Sequence, residues 1–119
     1  MDQYDIWTAD IPSLQNSHVQ YGRRPVVIIS NNSANDHSPV ITVIPLTSRL
    51  HKCHLPTHVY LEGQGLEHGS IALCEQVMVL DKIRLLRRIG IVYKPFDRVA
   101  LCHALAIHFG MEFHLKTMA

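Results

Sequence analysis

The chain has too few cysteines for a disulfide framework: Cys53, Cys74 and Cys102 are an odd number with no CxxC pair, which fits a reducing compartment. Cys74 and Cys102 sit in apolar stretches and are expected in the core. No apolar run approaches the roughly 18 residues of a membrane span, so no membrane association is expected. The opening MDQYDIW lacks the basic stretch and apolar segment of a secretory signal, which points to the cytoplasm. Charge of one sign is also scarce: the formal net charge is +1. A polyanion would therefore not be held by the bulk field, and any such binding needs a local cluster of cations. Glycine-rich phosphate loops, GxSxG and HExxH are missing too, leaving nucleotide hydrolysis, esterase and metalloprotease activity without support. There is no repeat, linker or low-complexity tract, and 119 residues make a single domain, 1–119.

What is present is a succession of short strands. Asp5 to Ile11 alternates, with Ile6, Thr8 and Asp10 on one face and Trp7, Ala9 and Ile11 on the other, and reads as a half-buried strand. Pro12 to Gly22 is polar and aperiodic, a loop long enough to carry function. Val26 to Ile29 is a continuous apolar run that reads as a central strand, with Pro25 tolerated in front of it because a first residue need not donate to the ladder. After the turn-rich SNNSANDHSP, Val40 to Ile44 forms another strand, with Pro45 marking a bulge or an edge. Further strands are expected at His58 to Leu61 and Ser70 to Val79, a helical turn at DKIRLL and a last strand at RRIGIV.

The period changes in KPFDRVALCHALAIHFG, where Val99, Cys102, Leu105 or Ala106, and Phe109 recur at helical spacing. Pro95 suits a first turn and Gly110 a stop. Strands followed by one C-terminal α-helix predict a mainly β fold, a small, strongly curved sheet or barrel with the helix packed on it.

Candidate chemistry is dispersed along these elements. Arg24 stands between a loop and a rigid strand, and its forked guanidinium matches phosphate oxygens, although a solvated turn explains the same residues. Thr47 and Ser48 end a strand with hydroxyls able to donate to an oxyanion. Glu75 and Gln76 interrupt the apolar IALCEQVMVL, so they must be hydrogen-bonded or functional. His51, Cys53, His54 and His58 include metal-ligand types, but their spacing matches no common zinc framework, and no metal or other cofactor is expected.

Taken together, DIWTADI, GRRPVVIIS, SPVITVIPLTSRL, LPTHVYL, CEQVMVLDK and RLLRRIG resemble the MazF/PemK family of toxin endoribonucleases, in its order and spacing over nearly the whole chain. The resemblance implies a compact SH3-like barrel related to the gyrase-poisoning CcdB toxins, a homodimer, and cleavage of single-stranded RNA, often mRNA, without a metal. It also implies a cognate antitoxin whose acidic disordered tail occupies the cations that RNA needs. By the same resemblance Arg24 is the catalytic arginine and Thr47 holds a phosphate oxygen. Glu75 and His18 join them in the site as the two candidate proton acceptors, while Arg23, Gln20, Ser48 and Gln76 contact RNA.

The chain departs from the family pattern in four places. Val19 stands where many members have a loop carboxylate and Tyr21 where they have glycine. Leu73 and Met78 replace arginines. These departures keep open a non-catalytic binder on the same barrel, either a gyrase-binding toxin or an inactive RNA-binding or interaction module. A surplus of apolar surface independently argues for a two-fold dimer.

Overall fold

The computed structural model describes residues 1–50 and 55–112. One antiparallel sheet of seven strands organises it: β1 (Asp5–Ile11), β2 (Gly22–Ile28), β3 (Val40–Thr47), β4 (His58–Leu61), β5 (Ser70–Leu73), β6 (Met78–Asp81) and β7 (Leu85–Ile91). A short helix α1 (Asn32–His37) joins β2 to β3, and α2 (Pro95–Phe109) follows β7. The strands run β4-β5-β3-β2-β1-β7, with β6 also on β3. One edge of β3 thus serves two partners: Val40 to Val43 pair with β6, and Leu46 and Thr47 pair with β5.

The curvature expected from the sequence is there, but the barrel is not closed, because β4 and β7 end the sheet without pairing. The gap is bridged by the β4–β5 loop instead. Gln64 and Gly65 lie directly against Ile89 and Gly90 of β7, so closely that a Cβ at Gly90 would stand 2.9 Å from the Gly65 Cα. Two glycines facing one another are the only residue types that permit such backbone contact. Gln64 fastens the loop further. Its Oε1 accepts from the backbone N–H of Tyr93 (3.0 Å) and Lys94 (3.2 Å), and its Nε2 donates to Asp97 (3.0 Å). It therefore caps the start of α2, which has no side-chain cap of its own.

Both faces of the sheet carry core. Ile6, Val27, Ile44, Leu46, Val59 and Leu61 pack beneath Leu101 and Ala104 of α2, whereas Ala9, Ile11, Val26, Ile28, Ile41 and Val43 form a second cluster. On strand β1, Ala9 and Ile11 are buried in the second cluster and Ile6 in the first, while Thr8 and Asp10 stay partly exposed, so the strand is half-buried as its alternation suggests.

Four expectations need correction. First, β2 begins at Gly22, so Pro25 lies inside it, opposite Thr8; β3 joins β2 only from Val26, and Pro25 is tolerated because it precedes that ladder. Second, Ser70 to Val79 is not one strand: the polar pair Glu75–Gln76 falls in a 3₁₀ turn, Cys74–Gln76, between β5 and β6. Third, SNNSANDHSP contains α1, whose start is capped by Asn31 accepting from the Ala34 N–H at 2.9 Å. Fourth, α2 buries Leu101, Ala104 and Ala106, while Val99, Cys102 and Phe109 are exposed. That helix is apolar on most sides, so its period does not select the packed face. Cys74 is core as expected, and Lys82–Arg84 is a helical turn.

Candidate functional site

Position 24 is defined by backbone on two sides. Arg24 lies opposite Ala9 in the β1–β2 ladder; its Nε donates to the Tyr21 carbonyl at 2.9 Å and its Nη1 to the Leu46 carbonyl at 3.3 Å. Two carbonyls from different elements hold the guanidinium plane while its remaining N–H groups stay available. Burial, and after it the neighbouring Arg49 cation, lower its pKa from the usual arginine value; the group stays charged at any ordinary pH.

Arg24 separates two hollows. The larger, about 680 Å³, is walled by Arg23, Arg24, Thr47 and Ser48 on one side and by the β4–β5 loop, including His68, and β7 on the other. The smaller, about 190 Å³, is formed by Ser17, His18, Gln20 and Tyr21 of the β1–β2 loop; Arg24 and Arg49 line both. Thr47 is nearly buried, and its Oγ1 accepts from the Arg49 N–H at 3.2 Å, which leaves the hydroxyl proton free to donate.

Of the eight residues singled out in the sequence, Arg23, Arg24, Thr47 and Ser48 meet in the large hollow, and His18 and Gln20 join Arg24 in the small one. Gln76 fixes the loop from below, its Oε1 accepting from the Gln20 N–H at 2.8 Å. Glu75 lines neither hollow. Its Oε1 accepts from Thr57 Oγ1 at 3.2 Å and its Oε2 lies 3.0 Å from His58 Nε2, whose ring is buried. The carboxylate is thus already hydrogen-bonded within the fold, and it anchors the turn that carries Gln76.

Sequence reasoning missed Arg49, His68 and Arg87, all of which line the large hollow. Arg87 had a signal: Arg87–Arg88 repeats on β7 the doublet Arg23–Arg24 of β2. His68 had none, because the loop that brings it to Arg24 is placed by long-range contact.

The departures take concrete form. Val19 and Tyr21 are exposed on the β1–β2 loop, and the Tyr21 carbonyl is one of the two that hold Arg24. Leu73 is buried and Met78 packs against the second apolar cluster, so neither position could present a cation to the hollows without emptying core. Of the metal-ligand types, His51, Cys53 and His54 lie outside the described residues, and His58 is engaged with Glu75. Among the described residues no group of three or more His, Cys, Asp or Glu is placed to hold a metal ion, and no helix is long and apolar enough to cross a membrane.

Solved structures share this fold. The Mycobacterium tuberculosis toxin MazF-mt6 aligns with a TM-score of 0.74 and 25% identity, over 90% of this chain and 97% of the toxin. An endoribonuclease in complex with its cognate antitoxin from a mycobacterial species aligns at 0.75 and 24%, over 93% and 96%. MazF from Deinococcus radiodurans aligns at 0.76 and 22%, over 92% and 96%. A family model described as the PemK-like, MazF-like toxin of type II toxin–antitoxin systems matches residues 2–107. With the family model covering most of its length and the curved open sheet shared with these toxins, the chain belongs to the PemK-like, MazF-like toxin family.

Proposed function

We propose that the chain is a metal-independent endoribonuclease toxin that cleaves single-stranded RNA, mRNA included, at short sequences. The ribose 2′-OH attacks its own 3′-phosphate, the bond to the 5′-oxygen breaks, and the products are a 2′,3′-cyclic phosphate and a 5′-hydroxyl. That step needs charge on the phosphorane, a base for the 2′-OH and an acid for the departing oxygen. The observation that carries the reading is the fixed guanidinium of Arg24 beside the free Thr47 hydroxyl proton, a donor pair aimed at one hollow.

In this reading Arg24 stabilises the phosphorane, Thr47 donates to a non-bridging oxygen, and water in the open hollow protonates the departing 5′-oxygen. His18, in the adjoining hollow, takes the 2′-OH proton, because Glu75 is already held by Thr57 and His58. Glu75 then acts by fixing Gln76, and through it Gln20 and the loop. Arg23 and Ser48 contact flanking parts of the strand.

A cognate antitoxin with an acidic, disordered tail fits the same cations and would inhibit by covering them. Self-association into a two-fold homodimer accounts for exposed apolar side chains such as Ile83 (86% exposed), Phe96 (82%) and Val99 (67%). The cytoplasm, where mRNA is found, is the compartment this activity requires.

The test is to incubate the purified protein with single-stranded RNA in excess EDTA and map the ends, beside Arg24→Ala and Thr47→Ala. Cyclic-phosphate ends from the native protein and intact RNA with both variants are expected. RNA left intact by the native protein would make the chain a binder on the toxin fold. Cleavage abolished by EDTA would remove the metal-free mechanism.

A further inference from the structure

Two arginine doublets face each other across β1, and in the second of them the structure separates the roles of the neighbours. On β7, Arg88 lies opposite Trp7, and its Nε reaches the buried Asp5 carboxylate at 3.2 Å. It is a structural cation, balancing a charge inside the fold. Arg87, one residue earlier, lies opposite Thr8 and is exposed on the other face of the sheet, as strand alternation demands. Among the described residues no carboxylate comes within ion-pair distance of it.

The β1 ladders place Arg87 relative to the site. Thr8 pairs with Pro25 of β2 on one side and with Arg87 of β7 on the other; Arg23, two residues before Pro25, shares their face. Arg23, Thr8 and Arg87 all line the large hollow. Strands β2 and β7 flank β1, so their axes lie about 10 Å apart. The Thr8 hydroxyl donates to the Arg87 carbonyl at 3.3 Å and holds the strand in place. Arg23 and Arg87, in a hollow that also holds Arg24, Arg49 and one carboxylate, Glu67, leave its lining net positive and attractive to anions.

We propose that Arg87, with Arg23, forms a second phosphodiester subsite in the large hollow, taking the phosphate next to the one held by Arg24 and Thr47. The proposal rests on the RNA reading above and adds to it the path of the strand: from Arg24 across β1 toward β7. Thr8 is a positioning residue. A guanidinium on a rigid strand binds a phosphate oxygen pair without reading a base, so this subsite gives affinity and register, not sequence preference.

The test measures binding of 2′-O-methyl RNA, which lacks the attacking hydroxyl, by native protein and Arg87→Gln as a function of salt. A dimer with a single phosphate and a pentamer are compared. Each phosphate contact on a single strand contributes about 0.7 to the salt slope, worth about eightfold in affinity at about 50 mM salt. Arg87→Gln is expected to lose that increment for the pentamer and to bind the dimer as the native protein does. Equal losses for dimer and pentamer, or none for the pentamer, would overturn the subsite while leaving the nuclease reading intact. Weakened binding of an acidic peptide with unchanged pentamer affinity would reassign Arg87 to a protein partner. If the native protein binds neither oligomer, the RNA reading falls and the subsite with it. Arg88→Gln, which breaks the Asp5 pair instead, should lower thermal stability without the change in slope.

Discussion

Replacing Arg24 by lysine keeps the charge and removes the fork, and so separates two explanations of how that residue works. If Arg24 is merely a cation near phosphate, lysine should serve. The structure argues otherwise, because the guanidinium spends Nε on Tyr21 and Nη1 on Leu46 and still has N–H groups for the substrate. An ammonium has three donors on one atom and cannot satisfy two separated carbonyls and a phosphate in a fixed plane. At least one hydrogen bond to a charged group is lost, about 1.5–3 kcal/mol, which corresponds to about a 10- to 150-fold lower kcat/KM. Because the lost bond matters most when charge builds on the phosphorane, kcat should fall more than KM rises. The assay is single-turnover cleavage of a short fluorescent RNA at saturating protein, with circular dichroism confirming the fold. A lysine variant within about threefold of native would show that the two carbonyl contacts do not prepare the residue for catalysis.

Two further outcomes follow from the fold. Gly90→Ala forces a methyl into the Gln64 carbonyl and to within 2.9 Å of the Gly65 Cα, an overpacking that costs about 1–3 kcal/mol, read as a lowered urea midpoint with unchanged slope; a midpoint equal to native would mean that the loop does not bear on β7. Burial pushes the Cys74 thiol from 9.0 up to about 12, and burial with the Cys102 contact pushes Tyr4 from 10.0 up to about 12. Both groups are therefore protonated in the fold where the unfolded chain has already lost those protons. Stability should fall as pH rises from about 9 and level off above about 12, and Cys74→Ala should make that fall shallower; a urea midpoint unchanged between about pH 8 and about pH 11 would contradict this sign.

Local signals were readable where a residue's role is set by its neighbours in the chain. The Arg24 mount, the Thr47 strand end and the helix running from Pro95 toward Gly110 could be seen directly, since each depends on strand patterning or helix punctuation. The packed face of α2 could not, because Leu101 and Ala104 lie on the side of the helix nearly opposite Val99 and Cys102, and both sets are apolar. Closure could not be read either: a Gly65–Gly90 contact joins positions far apart in the chain and leaves no periodic trace. The same contact sets the loop of His68 against β7, whereas Arg87 is placed by the β1–β7 ladder. Glu75 shows the opposite limit, for a polar pair in an apolar run demanded partners, but the run did not say that Thr57 and His58 would supply them.

Gln64 has a mechanical consequence. One amide side chain joins the β4–β5 loop to the first turn of α2, and the glycine contact clamps that loop to β7. Helix entrance, hollow wall and edge strand are therefore tied together through one amide and one backbone contact. Phe96, 82% exposed on that first turn, thus stands on the element that Gln64 ties to the wall carrying His68.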